Sequence, residues 1–229
     1  RAMGWYVMAL VDVLDYLPKD HPKRPELIAI LNRAMTALVK VQDKKSGVWW
    51  LILDIPGRKG NYLEASASCM FTYAMAKGVR MGYLPSTFMK SANTAWAGIQ
   101  KEFVVDKDGQ VSLEKTIGGA GLGGTPYRDG TFDYYTNEKV VTNDPKGVGA
   151  FLLAAVEMEK VPNLKLGAGV TVLLDDYFNH ETKKDDSGRT VAWHYKWNEW
   201  PNSGFGFWGN VFNSYGAATA MLSTEPTAA

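Results

Sequence analysis

A single cysteine, Cys69, among 229 residues leaves no internal disulfide to form. It lies in the small-residue run Ala65-Ser66-Ala67-Ser68-Cys69, a setting for a packed core thiol rather than a nucleophile or a ligand. No run of about 18 uncharged apolar residues occurs, so no segment reads as a membrane-spanning helix. Charge of either sign is not in excess, with 25 Lys and Arg against 24 Asp and Glu. No global field therefore favours a nucleic acid or an anionic membrane, and recognition of a charged substrate has to be local. The three histidines, His21, His180 and His194, are scattered, and only Asp175-Asp176 with His180 forms a loose cluster. Adjacent carboxylates at a strand end more often cap or face water, so no metal and no cofactor is expected. There is no Gly-x-Ser-x-Gly, hence no nucleophile elbow. The cluster Gly118-Gly119-Ala120-Gly121-Leu122-Gly123-Gly124 has neither a following Lys-Ser or Lys-Thr nor a strand-loop-helix frame, which argues against a phosphate loop. A rim permitting close approach of a sugar and a plain structural loop both remain open.

What is present is enough apolar material, 46% of the residues, to bury a sizeable core. Trp5, Met8, Ala9, Val11, Leu14 and Leu17 recur at helical spacing until Pro18 stops the pattern. Pro25 suits a first helical position, and Leu27, Ile28, Ile30, Leu31, Met35, Leu38 and Val39 carry a second helix to about Gln42. A third helix is expected to begin near Asn61 and fade between Gly78 and Gly82, and a fourth to start at Pro85-Ser86 and carry Phe88, Met89, Ala92, Trp96 and Ile99. Short connections at 18–25 and 82–86 alternate with a long one at 43–60. A ring of antiparallel helix pairs produces this alternation, because its long loops gather on one face.

Beyond Glu102, Phe103-Val104-Val105 and Gln110-Val111-Ser112-Leu113 flank Asp106-Lys107-Asp108-Gly109, a hairpin signal. Residues 116–143 read as a long Gly- and Tyr-rich functional loop, followed by a helix over 147–160. After Val161-Pro162 the pattern shifts. Val170-Thr171-Val172-Leu173-Leu174 reads as a buried strand, and an aromatic run from Trp193 to Trp208 leads to a last helix, so an α/β segment is expected to begin at about residue 163. The chain opens on Arg1-Ala2-Met3 inside a helical pattern and ends on Pro226-Thr227-Ala228-Ala229 without closing an element, as expected for a piece of a longer protein.

The loops hold the residues suited to chemistry. Sugar recognition needs flat apolar platforms for C–H faces and charged groups for hydroxyls and carboxylates. Segment 43–68 joins Trp49-Trp50, Arg58, Tyr62 and Glu64. Of the adjacent Trp pair, one packs inward and the other is available. Arg58 reads as an exposed cation or an anion anchor, and Glu64 as a site carboxylate or a partner of a positive helix terminus.

Two motifs in this region and at the start resemble a known family. Arg1-Ala2-Met3-Gly4-Trp5-Tyr6 is similar to R-A-x-G-W-Y, and Gly57-Arg58-Lys59-Gly60-Asn61-Tyr62-Leu63-Glu64-Ala65-Ser66 to x-R-x-x-N-[WY]-L-E-[AS]-S, of the unsaturated uronyl hydrolases of glycoside hydrolase family 105, the unsaturated rhamnogalacturonyl hydrolases. Ala120-Gly121-Leu122-Gly123 with Tyr127-Arg128-Asp129-Gly130, and Asn143-Asp144-Pro145-Lys146-Gly147-Val148-Gly149, fit in the same order.

The resemblance implies a mainly α fold: residues 1–162 form the C-terminal half of an (α/α)6 barrel, and residues 163–229 begin an α/β module often appended to it. It implies a bacterial periplasmic or cytoplasmic hydrolase whose substrate is an oligosaccharide ending in a Δ4,5-unsaturated uronic acid. An Asp gives a proton to C4, water adds at C5, and the hemiketal opens to release the next sugar, unlike displacement at an anomeric carbon between two carboxylates. The family's general-acid Asp lies upstream of the motif at Arg1, so no Asp of this chain inherits that role. Arg58 and Tyr62 are expected to contact substrate, Tyr62 at a position that is often Trp; Trp5, Glu64, Tyr127, Arg128 and Lys146 also match motif positions. A non-catalytic glycan-binding or scaffold protein on the same toroid is the alternative.

Overall fold

The computed structural model describes residues 1–108, 110–160, 182–184 and 190–193. Four helices come first: α1 (Ala2–Tyr16), α2 (Arg24–Lys40), α3 (Ala65–Arg80) and α4 (Phe88–Glu102). A hairpin of β1 (Val104–Lys107) and β2 (Gln110–Leu113) follows, with Val104 opposite Leu113. Then come β3 (Thr116–Ile117), α5 (Phe132–Asn137), β4 (Val140–Val141) and α6 (Pro145–Glu159). β5 (Thr182–Lys184) and β6 (Thr190–Trp193) pair antiparallel. The strand expected at 170–174 and the helix expected near the C-terminus lie outside the described residues. No helix among the described residues is long and apolar enough to cross a membrane.

The fold is mainly α, antiparallel helix pairs making part of an α/α barrel. Its centre is α3, which packs against α1, α4 and α6, while α2 lies on α1. Every residue of α3 from Ala65 to Gly78 is buried, so all faces of this helix must be apolar or internally satisfied. Small residues Ala65, Ser66, Ala67, Ser68, Ala74 and Ala76 admit the neighbouring helices, and Cys69, Met70, Phe71 and Met75 fill the spaces between them. Each of the large side chains contributes about 2 kcal/mol by leaving water. The Ser68 hydroxyl donates back to the Glu64 carbonyl and that of Thr72 to the Ser68 carbonyl, so neither is left unpaired. Trp96 of α4 stacks on Phe151 of α6, with ring centroids 5.5 Å apart.

The C-terminal part of α3 carries a buried charge. Lys77 Nζ lies 2.7 Å from Asp12 Oδ1 and 2.6 Å from Asp15 Oδ2, both on α1, and its side chain is 5% exposed. Tyr73 Oη donates to Asp12 and Tyr83 Oη to Asp15. One turn on, Arg80 binds both oxygens of Glu157 on α6, at 2.7 and 2.8 Å. Positive groups also suit this end of the helix dipole.

One face of α1 carries Met3, Tyr6, Val13 and Tyr16, all exposed. These apolar side chains fall at spacings that align them along one side of the helix, away from α3.

Two expectations are corrected. The third helix starts at Ala65, not near Asn61, because Leu63 is held extended by a bridge to Trp50. The segment 116–143 is not a featureless loop: β3 pairs with β4, Thr116 opposite Val141, and α5 lies between them.

The Lys77 cluster yields a stability test. Lys77→Met leaves Asp12 and Asp15 facing each other without their shared cation and is expected to lower unfolding free energy by about 3 kcal/mol, read as a lower urea midpoint at unchanged slope. A midpoint shift no larger than that of an exposed substitution such as Lys90→Met would contradict it.

Candidate active site

The site is assembled over the N-terminus of α3 from the connection 41–64. That connection is anchored before it projects. Asp43 accepts from the Lys45 and Ser46 amides, the Ser46 hydroxyl and the Trp50 indole. Partial burial pushes the Asp43 carboxyl up, but the Ser46, Trp50 and Lys45 hydrogen bonds outweigh it and hold the pKa below the ordinary value. Trp49 is fully buried, donates from Nε1 to the Leu38 carbonyl at 2.8 Å and packs edge-on to Phe71. Trp50 is partly exposed. The pair thus divides as its alternation implies, one inward and one in the wall.

From Leu51 the chain makes an excursion and returns. The Leu51 amide donates to the Tyr62 carbonyl and the Glu64 amide to that of Trp49, closing the base. Asn61 braces the interior. Its Oδ1 accepts from the Ile52 amide and its Nδ2 donates to the Ile52 and Ile55 carbonyls, at 2.9 to 3.1 Å. Gly60 turns the chain with φ of 94°, a conformation costly for any residue with a Cβ. Arg58 is at the tip.

The Arg58 side chain is exposed, and its Cζ stands 3.9 Å from the centroid of the Phe132 ring on α5. Among the described residues no carboxylate pairs with it. Tyr62 is half-buried, and its hydroxyl oxygen is closed off from solvent without a hydrogen-bond partner. Burial first, then the Glu64 carboxylate, pushes its pKa far above that of a free phenol, and Glu138 adds to the rise. The hydroxyl is therefore a neutral donor at any working pH.

Glu64 is fully buried and caps α3. Oε2 accepts from the Ala67 amide at 2.7 Å, while Oε1 accepts from the Ser66 hydroxyl at 2.7 Å and from the Ile117 amide at 3.1 Å. This carboxylate is turned to the protein and welds β3 to the helix end. Arg1 Nη1 donates to the Ile117 carbonyl from the other side. Trp5, on the first turn of α1, is partly buried against the core.

The remaining motif residues lie farther along. Tyr127 is 76% exposed and lines an open groove with Asp129, Asp133, Tyr134 and Glu138. Arg128 folds onto its own turn: its Nε donates to the Gly123 carbonyl at 2.8 Å, and Gly121 leaves room where a Cβ would sit 2.5 Å from the guanidinium. That gives this part of the glycine cluster a structural reason. Lys146 Nζ pairs at 2.8 Å with Asp144, which caps α6. Arg58 and Tyr127 therefore both meet the α5 region, whereas Lys146 is engaged in the first turn of α6. Asn61 and Phe132 were not singled out from the sequence. Asn61 sits inside the matched motif, so the motif was its available signal; Phe132 had none.

Helix pairs around a buried central helix, with a loop presenting a cation and aromatic rings above its N-terminus, are the architecture of part of a helical α/α barrel. Residues 1–162 match the family model of Glycosyl Hydrolase Family 88. The chain belongs to that family, and the solved structures it is similar to include a member of family 105. A solved glycoside hydrolase from family 105 of C. acetobutylicum is similar at 54% identity and a TM-score of 0.69, covering 70% of this chain and 45% of that one. The 24.9 kDa protein in picA locus of Rhizobium radiobacter is 40% identical over 164 residues, 69% of this chain and 70% of the relative. Unsaturated rhamnogalacturonyl hydrolase YesR of Bacillus subtilis is 31% identical over 112 residues, 49% of this chain and 29% of that protein. The chain thus spans under half the length of the solved hydrolase.

The cap at Glu64 can be tested. Glu64→Ala removes three accepted hydrogen bonds and is expected to cost about 3 kcal/mol, with faster amide exchange at both Ala67 and Ile117. Unchanged protection at Ile117 would separate β3 from the cap.

Proposed function

We propose that the chain is part of an unsaturated rhamnogalacturonyl hydrolase, acting on the Δ4,5-unsaturated galacturonic acid at the non-reducing end of pectin-derived oligosaccharides. The observation that carries the reading is Arg58, a cation with no carboxylate partner among the described residues, at the tip of a braced loop within the family match. A planar guanidinium with a free N–H edge suits a uronate carboxylate, which accepts two parallel hydrogen bonds from it. Tyr62, four residues on in the returning chain, offers a ring to the sugar face and a neutral hydroxyl. The activity for which the Bacillus relative is named supports the substrate class.

The chemistry is hydration followed by ring opening. A carboxylic acid gives its proton to C4, and its conjugate base takes one from the water whose oxygen bonds to C5. The hemiketal so formed breaks its bond from C5 to the ring oxygen, leaving a ketone at C5 and a hemiacetal at C1 that expels the next sugar as an alcohol. Arg58 holds the carboxylate on C5, and so fixes which face of the alkene meets the acid. Glu64 contributes by shaping the α3 terminus beneath Tyr62. The general acid is supplied by residues outside this chain, consistent with its 45% share of the solved family member. On this reading the missing part of the barrel covers the apolar stripe of α1, residues 1–162 are the C-terminal half, and the remainder begins an appended α/β module.

The test is loss of the ultraviolet absorbance of the conjugated alkene. The 229-residue chain alone is expected to show no turnover, and the chain joined to the rest of its barrel to show it. In the joined protein, Arg58→Ala is expected to lower kcat/KM on unsaturated rhamnogalacturonyl disaccharide roughly 100-fold. Unaltered kcat/KM would remove Arg58 from the site, and binding without turnover in the joined protein would favour a non-catalytic glycan-binding role.

A further inference from the structure

Phe132 belongs to none of the matched motifs, yet it touches the residue on which the proposed function turns. Its ring lies 3.9 Å from Arg58 Cζ. The contact is seated by more than one pair of atoms. Gly60 lies against the same face of α5, since a Cβ there would stand 3.5 Å from Thr136 and 3.7 Å from Phe132. Phe132 and Thr136 are four residues apart and share one side of the helix. The helix is itself held in place. Thr131 caps it by accepting from the Tyr134 amide, Asp129 accepts from the Thr131 amide and hydroxyl, and the β3–β4 pairing closes the segment onto Ile117 and hence onto Glu64.

A guanidinium on an aromatic ring is attracted by the negative π face, which restrains its motion without taking up its N–H groups. A carboxylate partner would orient it as well, but would occupy the donors and neutralise the charge. We propose that Phe132 is a positioning residue for substrate recognition: its ring holds the Arg58 guanidinium so that the N–H edge is free for the uronate carboxylate. This rests on the assignment of Arg58 to the substrate carboxylate. Phe132 acts through Arg58 and does not take part in proton transfer. Specificity for an acidic over a neutral sugar is then set jointly by the loop 51–63 and by α5.

The experiment compares Phe132→Leu, which keeps apolar volume and removes the π face, with Phe132→Tyr, which keeps the face. In the ¹⁵N-labelled 229-residue chain the Arg58 Nε proton should be shifted upfield by the ring, unchanged in Phe132→Tyr and lost in Phe132→Leu. In the protein joined to the rest of its barrel, Phe132→Leu should raise KM for unsaturated rhamnogalacturonyl disaccharide about 10-fold with kcat within about twofold, and Phe132→Tyr should restore it. With the same disaccharide reduced at C6 to the alcohol, wild type and Phe132→Leu should match. A KM unchanged in Phe132→Leu while Arg58→Ala raises it would overturn the positioning role and leave the proposed function standing. An equal rise in both Phe132 variants, or an equal rise on the reduced sugar, would show a packing role and overturn the proposal. No effect of Arg58→Ala would instead remove the assignment of Arg58 to the substrate carboxylate, on which the inference rests.

Discussion

The burial of α3 on every side is the constraint from which the rest follows. A helix enclosed by α1, α4 and α6 has no solvent to satisfy its first amides, and those amides still need acceptors. Glu64 supplies one for Ala67, and its other oxygen takes the Ile117 amide. The cap is thereby also a tertiary joint: β3 is tied to α3, β4 pairs with β3, and α5 between them is brought over the loop that carries Arg58. An uncharged cap such as Ser could serve the helix end, but its short side chain would not also reach a strand.

The opposite end of α3 meets the same constraint with the opposite charge. Lys77 is enclosed between two carboxylates of α1, and Arg80 reaches Glu157 of α6. Breaking such pairs is costly because a charge is left with incomplete compensation, even though forming them yields little over an apolar alternative. They act as register marks: α1 and α6 can each slide on α3 only by giving up a charge partner. The slots fixed by these marks hold the site loop at a constant height over the helix end.

The helices were legible because their apolar residues recur at helical spacing, and the prolines and glycines between them mark the ends. The start of α3 was not. Asn61-Tyr62-Leu63-Glu64-Ala65 has good helix formers, but Asn61 uses its side chain to brace residues 52–55, and the bridge at Leu63 keeps the backbone extended. Local preference lost to hydrogen bonds with residues about nine positions earlier. The β3–β4 pair was hidden for a related reason: two-residue strands separated by more than twenty positions leave no periodic trace, and the helix between them has no buried residue to mark its face. Arg58 and Tyr62 were singled out through their motif. Phe132 was not, because its partner is distant in sequence and a lone aromatic in a polar segment looks like surface.

The aromatic seat of Arg58 also bears on the choice of charge partner. Two carboxylates of the surrounding segments are already engaged: Glu64 by three protein donors, Asp129 by Thr131. Had either been free beside Arg58, the ion pair would have competed with a substrate carboxylate for the same fork of donors, and uronate binding would have required breaking it. A π face competes weakly, because it meets the flat side of the guanidinium and leaves the edge open. Engaging Glu64 at the helix end and placing Phe132 under the cation are thus two parts of one solution. The first keeps an internal anion turned to the protein, and the second keeps the cation in place for an external one.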